Sequence, residues 1–218
     1  GGAFVRIAVI LATRGNPQRA AAVIEMARFM ASGKHDIEYV ISCDDDDPDT
    51  MAFFDGYRGV TVSCEARPPG TMECINRVVR SLDADAYLGV ADDGFPVTED
   101  WDEHATQFLT GAFPTPHLGL MAWTDNANPG QPTVMMATRE WIAHTGRFQD
   151  DRFPFWFSDT CEAETWSFVT YRFMPVVPTL QIVSRGGRPN PRMRDIDFWW
   201  DFYIATRDVT TDSSPTER

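Results

Sequence analysis

The sequence has little of what marks several common classes of protein. No segment approaches the run of about 18 apolar residues that a membrane-spanning helix needs, so no such helix is predicted. The four cysteines form no Cys-x-x-Cys pair, which favours reduced thiols and argues against a structural zinc site. The amino-terminal residues have neither the basic nor the apolar region of a signal peptide. Together these absences predict a protein of the cytoplasm.

Two glycine-rich motifs that commonly bind phosphate are also missing. The chain contains neither Gly-x-Gly-x-x-Gly nor the Walker motif with its glycine-lysine pair. A nucleotide bound to this protein would therefore need a metal ion and arginine side chains around its phosphates.

Basic charge is scarce and almost entirely carried by arginine. Lys34 is the only lysine among 19 basic residues, against 32 acidic residues and a net charge of −13. Such acidity argues against nucleic-acid binding over the whole surface. Four arginines nevertheless fall within residues 185–194, among them Arg185 and Arg188. We expect a basic loop there, which would close over a diphosphate leaving group or meet an anionic acceptor.

Strand-like and helix-like segments alternate along the first half of the chain. The β-branched runs at 4–11 and 37–43 predict buried strands, and apolar residues recur at helical spacing over 18–32 and 71–82. This alternation predicts an α/β protein with a mostly parallel central sheet that is flanked by helices.

The character of the sequence changes after residue 110. Strands are expected at 118–123 and 133–137, joined by a polar turn, with two more near 173–176 and 179–183. Because consecutive strands that a short turn joins run antiparallel, the second half should contribute a smaller antiparallel portion.

Two adjacent carboxylates follow the apolar run that ends at Ala91. Asp92 and Asp93 should emerge at the carboxyl end of a buried strand, the edge where open α/β sheets bind ligands. Their mutual repulsion and desolvation are costly unless a cation lies between them. The pair therefore predicts an Mn²⁺ or Mg²⁺ site that would hold a polyphosphate; otherwise one acid caps the next turn and the other is solvated.

Four motifs, in this order and spacing, resemble the nucleotide-diphospho-sugar transferases of the GT-A fold, most closely the glycosyltransferase family 2-like group. They are IAVILATRGNP at 7–17, CDDDDPDT at 43–50 with Asn76 on the helix that follows the third strand, VADDG at 90–94, and FWFSDT at 155–160. The resemblance covers roughly residues 4 to 170. It implies one GT-A-like domain over 1–210 and a disordered tail at 211–218, the domain comprising a nucleotide-binding half (4–110) and an acceptor-binding half (111–210).

The resemblance also assigns roles to residues. Asp92 and Asp93 match the acidic pair that holds a divalent metal against the donor's diphosphate. The remaining positions that match nucleotide contacts are Thr13, Arg14, Asp44, Asp45, Asp46 and Asn76, with Arg185 and Arg188 added from the basic loop. A solvated acidic turn before Pro48 is the simpler interpretation of the aspartates. Members of the group often supply a late histidine as a third metal ligand, and no histidine follows His144.

Asp159 matches the place where such enzymes carry their catalytic base. An inverting transferase needs a carboxylate to take the proton of the acceptor hydroxyl. A structural role competes with this one, because Asp159 followed by Glu162 is also a common helix-starting pair.

The sequence thus predicts an enzyme, a glycosyltransferase (EC 2.4 class) that moves a sugar from a nucleoside diphosphate sugar to a hydroxyl acceptor, with metal assistance and inversion. The acceptor would be a glycan, a small molecule or a modified nucleic acid such as one with a hydroxymethylated base. A nucleotidyltransferase and a non-catalytic module that binds nucleotide or sugar are the alternatives.

Overall fold

The described part of the computed structural model comprises residues 5–68, 70–113, 118–126, 131–153, 158–170 and 174–184. Its strands are β1 (Arg6–Ala12), β2 (Asp36–Asp44), β3 (Val60–Glu65), β4 (Ala86–Ala91), β5 (Gly94–Pro96), β6 (Leu120–Asp125), β7 (Val134–Thr138) and β8 (Val176–Ser184). Its helices are α1 (Pro17–Met30), α2 (Pro48–Phe54), α3 (Thr71–Ser81), α4 (Trp101–Ala112), α5 (Arg139–Thr145) and α6 (Ser158–Thr170).

The strands form one sheet in the order β3-β2-β1-β4-β7-β6-β8-β5. Strands β1 to β4 pair in parallel, because a helix connects each of them to the next. Strand β7 pairs antiparallel with both β4 and β6, and β5 pairs antiparallel with β8. The predicted α/β class, with a mostly parallel sheet and a smaller antiparallel portion, is confirmed.

Two details of the predicted strands differ from the structure. The three-residue strand β5 directly follows Asp93 and was not predicted, because so short a segment carries no periodicity. The two strands expected near 173–176 and 179–183 are one strand, β8. Its register against β6 shifts between Trp123 and Thr124, whose partners are Val177 and Gln181.

The core lies between the sheet and its helices. Residues Ile7 to Leu11 of β1 are all at most 2% exposed, as expected for a central strand that is covered on both faces. On one face Trp101 of α4 contacts Trp123 of β6, with ring centroids 5.5 Å apart. No helix within the described ranges is long and apolar enough to cross a bilayer.

Candidate active site

The carboxyl ends of β1, β2 and β4 meet at one edge of the sheet and border a cleft of about 320 Å³. Strands β2 and β3 lie on one side of β1, and the next strand along the chain, β4, lies on its other side, so the strand order reverses at β1. This edge is therefore a topological switch point, the usual ligand site of open α/β sheets. Four of the predicted site residues line the cleft, namely Thr13, Arg14, Asp44 and Asp92.

Asp92 is held at the cleft by the loop after β1. The Thr13 hydroxyl donates a hydrogen bond to Asp92 Oδ2 over 2.9 Å. Burial raises the pKa of Asp92, and the charge of Asp93 raises it further, while hydrogen bonds from Thr13 and Asn16 and the charge of Arg19 act in the opposite direction. A buried carboxylate beside a second one is destabilised as an anion, and a cation bound to the pair would relieve that cost.

Of the two adjacent acids, Asp92 lines the cleft, and Asp93 is not among the lining residues. No cluster of three or more His, Cys, Asp or Glu side chains suited to a metal occurs among the described residues. The metal site at Asp92 and Asp93 therefore stays a prediction, in which phosphate oxygens and water would complete the coordination shell. Mg²⁺ in particular is commonly bound by one or two carboxylates plus substrate phosphates.

Arg14 ties the loop after β1 to the acidic loop after β2. Its guanidinium donates to Asp44 Oδ2 over 2.8 Å and to both carboxylate oxygens of Asp46. These bonds hold the pKa of Asp46 below its ordinary value and raise that of Arg14. Asp44 is buried at the cleft, whereas Asp46 is exposed and meets the cleft through Arg14.

The two other aspartates of this loop have structural contacts. Asp47 is buried, caps α2 by accepting from the Thr50 amide over 3.4 Å, and accepts from the Gly15 amide over 2.8 Å. Although burial acts to raise its pKa, the hydrogen bonds from Thr50 and Gly15 hold it below the ordinary value. Asp45 is exposed, and its backbone amide donates to Glu65 O over 2.9 Å. Two of the four aspartates in the predicted solvated turn, Asp44 and Asp47, are therefore buried, and the other two are exposed. Asp45 does not line the cleft.

Asn76, which was predicted to contact the nucleotide, forms buried hydrogen bonds to a distant loop. Its side chain is fully buried, and its amide nitrogen donates to Gln149 O over 2.8 Å. Its carbonyl oxygen accepts from the Phe148 and Gln149 amides over 2.9 and 3.2 Å. The side chain's hydrogen bonds thus tether the loop between α5 and α6, and Asn76 does not line the cleft, so the predicted nucleotide contact stays a prediction.

Asp159 lies in the first turn of α6 and is partly buried. Its Oδ1 accepts from the Thr160 amide over 2.8 Å. Burial raises the pKa of Asp159, and the bonds to Thr160 oppose this effect. The residue does not line the cleft described above.

Glu162 does not form the helix-starting pair with Asp159. It is fully buried, accepts from Trp141 Nε1 over 3.0 Å and forms an ion pair with Arg147 over 3.4 Å. Burial raises its pKa to about 7, although Arg147 and Trp141 lower it. The competing structural interpretation of Asp159 loses its partner, because Glu162 points into the core.

Several residues of the cleft were not predicted from the sequence, and Arg67 is the charged one among them. It lies two residues after β3. The rule that ligands collect at the carboxyl ends of parallel strands would have included it, had it been applied to β3 as well. The predicted contacts Arg185 and Arg188 lie outside the described residues.

Comparison with known proteins finds similar solved structures but no similar sequence family. No family model matches the chain, and no curated protein matches it. Solved structures do match. The mannosyltransferase PcManGT from Pyrobaculum calidifontis, in complex with GDP-Man and Mn²⁺, aligns with a TM-score of 0.65 at 14% identity, covering 89% of this chain and 61% of that one.

Two further structures support the same class. Glucosyl-3-phosphoglycerate synthase from Mycobacterium tuberculosis, in complex with Mn²⁺, UDP and phosphoglyceric acid, gives a TM-score of 0.62 at 14% identity, covering 87% of this chain and 73% of that one. TarS from S. aureus gives 0.54 at 12% identity, with 71% of this chain and 53% of that one covered. The chain spans less than two thirds of PcManGT and TarS. It has the GT-A fold of nucleotide-sugar transferases, as the sequence predicted.

Proposed function

We propose that this protein transfers a sugar from a nucleoside diphosphate sugar to a hydroxyl acceptor, with the help of Mn²⁺ or Mg²⁺ and with inversion at the anomeric carbon. The observation that carries the proposal is the convergence of Thr13, Arg14, Asp44 and Asp92 on one cleft at the switch point of a GT-A sheet. Solved proteins of the same fold contain GDP-Man or UDP together with Mn²⁺.

The donor would lie along the cleft. Asp44 and Arg14, which are hydrogen-bonded to each other, would contact its nucleoside, and Asp92 with Asp93 would hold the metal at the diphosphate. A divalent cation there would neutralise charge on the departing nucleoside diphosphate. Thr13 would keep Asp92 in position through its hydrogen bond.

Asp159 would act as the catalytic base. It would take the proton of the acceptor hydroxyl while the hydroxyl oxygen bonds to the anomeric carbon, and the bond from that carbon to the diphosphate oxygen would break. Attack opposite the leaving group inverts the anomeric configuration. A raised pKa makes this carboxylate a stronger base than an ordinary aspartate.

The organisation of the chain is part of the proposal. Residues 4–110 would form the nucleotide-binding half and 111–210 the acceptor-binding half of one domain, working in the cytoplasm. The antiparallel pairing of β4 with β7, at residues 86–88 and 136–138, joins the two halves.

The test is donor turnover. The purified protein is incubated with Mn²⁺, a mixture of glycan, polyol and hydroxymethylated DNA acceptors, and one of UDP-glucose, GDP-mannose, dTDP-glucose, ADP-glucose or CDP-glucose, and the products are measured by mass spectrometry. We expect release of the nucleoside diphosphate from at least one donor and its loss in Asp92→Asn. Asp36→Asn is the matched control, because this exposed aspartate lies at the opposite end of β2. Release of pyrophosphate would indicate a nucleotidyltransferase instead, and no turnover of any donor would contradict the proposal.

A further inference from the structure

The two arginines that line the cleft have different electrostatic surroundings. Arg14 is paired with both Asp44 and Asp46, so its charge is compensated within the protein. Arg67 forms no hydrogen bond and no ion pair with any described residue. Its guanidinium is exposed, although its charge lowers the pKa of Asp46.

Arg67 lies at the same edge of the sheet as the residues that we assign to the donor. It follows β3, whose end pairs with that of β2 at Asp44↔Glu65, and it lines the same cleft as Asp44 and Asp92. Acidic side chains dominate this edge, so a bound polyanion needs a cation that the protein has not already neutralised. Of the two arginines that line the cleft, only Arg67 meets that condition.

We propose that Arg67 is a specificity-determining residue that binds a phosphate group of the donor's nucleoside diphosphate. This inference rests on the proposed function and adds a residue to it. A guanidinium presents paired N–H donors that match two phosphate oxygens, and such charge-assisted bonds are about twice as strong as neutral ones. Arg14 keeps the two loops together, and Arg67 strengthens the binding of ligands that carry phosphate relative to uncharged nucleosides.

The experiment measures the binding of four probes by isothermal titration calorimetry in the presence of Mn²⁺. The probes are UDP, GDP, inorganic pyrophosphate and uridine. In Arg67→Gln we expect the Kd for pyrophosphate and for the nucleotide that binds the wild type to rise roughly tenfold or more. The Kd for uridine, where measurable, should stay unchanged. Arg67→Lys should recover part of the affinity, because it restores the charge without the paired donors.

Arg58→Gln is the matched control. Arg58 is also exposed and lies just before β3, at the end of the strand away from the cleft, so the same change of charge there should leave every Kd unaltered. Raising the salt concentration should weaken nucleotide binding by the wild type more than by Arg67→Gln.

The outcomes separate this inference from the proposed function. Unchanged nucleotide and pyrophosphate binding in Arg67→Gln would overturn the role of Arg67 and leave the transferase intact. Equal losses for uridine and the nucleotides would also overturn it, since Arg67 would then contact the nucleoside. If the wild type binds pyrophosphate through Arg67 but binds neither UDP nor GDP, the phosphate site stands and the assigned donor class is weakened. A wild type that binds none of the probes contradicts both.

Discussion

Asp92 and Asp159 are both carboxylates whose pKa burial raises, yet their neighbours differ. Asp92 lies beside Asp93, whose charge adds to the shift, whereas Asp159 accepts hydrogen bonds from Thr160 and from its own backbone amide, which oppose the shift. A metal bound at Asp92 would favour the ionised form of that carboxyl. Asp159 has no such cation in its described surroundings and keeps the raised pKa that favours proton uptake.

The pH dependence of the reaction tests the role of Asp159. A base must be ionised to act, so kcat/KM should fall as the pH falls through the raised pKa of Asp159, above the usual range of aspartate near pH 4. Asp159→Asn should lower kcat roughly 100-fold or more. An unchanged rate in Asp159→Asn, measured with the donor that turns over, would exclude the residue as the base. The Asp36→Asn control should keep the wild-type profile.

Glu162 offers a test of stability rather than of catalysis. Its pKa is raised from 4.5 to about 7 in the folded state, so its contribution to stability is present below pH 4.5 and is lost as the pH rises towards 7. Glu162→Gln remains neutral at every pH. Relative to the wild type, the variant should therefore gain on the order of 3 kcal/mol in the free energy of unfolding between pH 4.5 and pH 8.

Urea denaturation of both proteins at the two pH values measures this difference. A stability difference that does not change with pH would show that Glu162 is ionised throughout, with Arg147 compensating its charge. The opposite trend, in which the variant loses stability as the pH rises, would show that the ion pair outweighs desolvation.

At the scale of elements, a loop connects the two sides of the proposed site. The loop between α5 and α6 receives Asn76 from α3, and its buried Asp150 accepts from Arg152 and pairs with Arg147. Cys161 of α6 contacts Asp150 over 3.4 Å. A chain of buried contacts thus runs from α3, which begins at the cleft, to the first turns of α6, which carries Asp159.

Packing against β4 fixes the same loop. A Cβ atom at Gly89 would lie 2.7 Å from the ring of Phe148, so only glycine allows the ring to approach the strand this closely. Gly89 lies three residues before Asp92. The loop, the acidic strand and α6 are therefore positioned together.

Removal of the Asn76 tether should destabilise the protein. Asn76→Ala leaves two backbone amides and one carbonyl without their buried partner, which we expect to lower the free energy of unfolding by roughly 2 to 4 kcal/mol. Gln18→Ala, which removes an exposed amide from α1, should change it by less than about 0.5 kcal/mol. Equal effects in urea denaturation would contradict the structural role that we assign to Asn76.

At the scale of the whole molecule, the features that could be predicted from the sequence are those that short local patterns determine, namely the strands and the residues at their ends. Buried apolar runs such as Ile7–Leu11 predicted the central strands, and strand ends then placed Thr13, Asp44 and Asp92 at one edge. The role of Asn76 could not be predicted, because its partner is a loop more than 70 residues away. Glu162 likewise resembled a capping residue until Trp141 and Arg147 were seen to surround it.

The metal dependence of nucleotide binding tests most directly whether a cation at Asp92 and Asp93 anchors the donor. A thermal-shift titration of UDP, GDP, CDP, ADP and dTDP, each with and without Mn²⁺, should show at least one nucleotide that raises Tm by an amount set by its concentration over its Kd. The rise should require Mn²⁺ and should disappear in the double variant Asp92→Asn, Asp93→Asn. Two results would contradict this metal-dependent donor site. One is a nucleotide that stabilises the double variant as much as the wild type, and the other is no shift in Tm with any nucleotide in the presence of Mn²⁺.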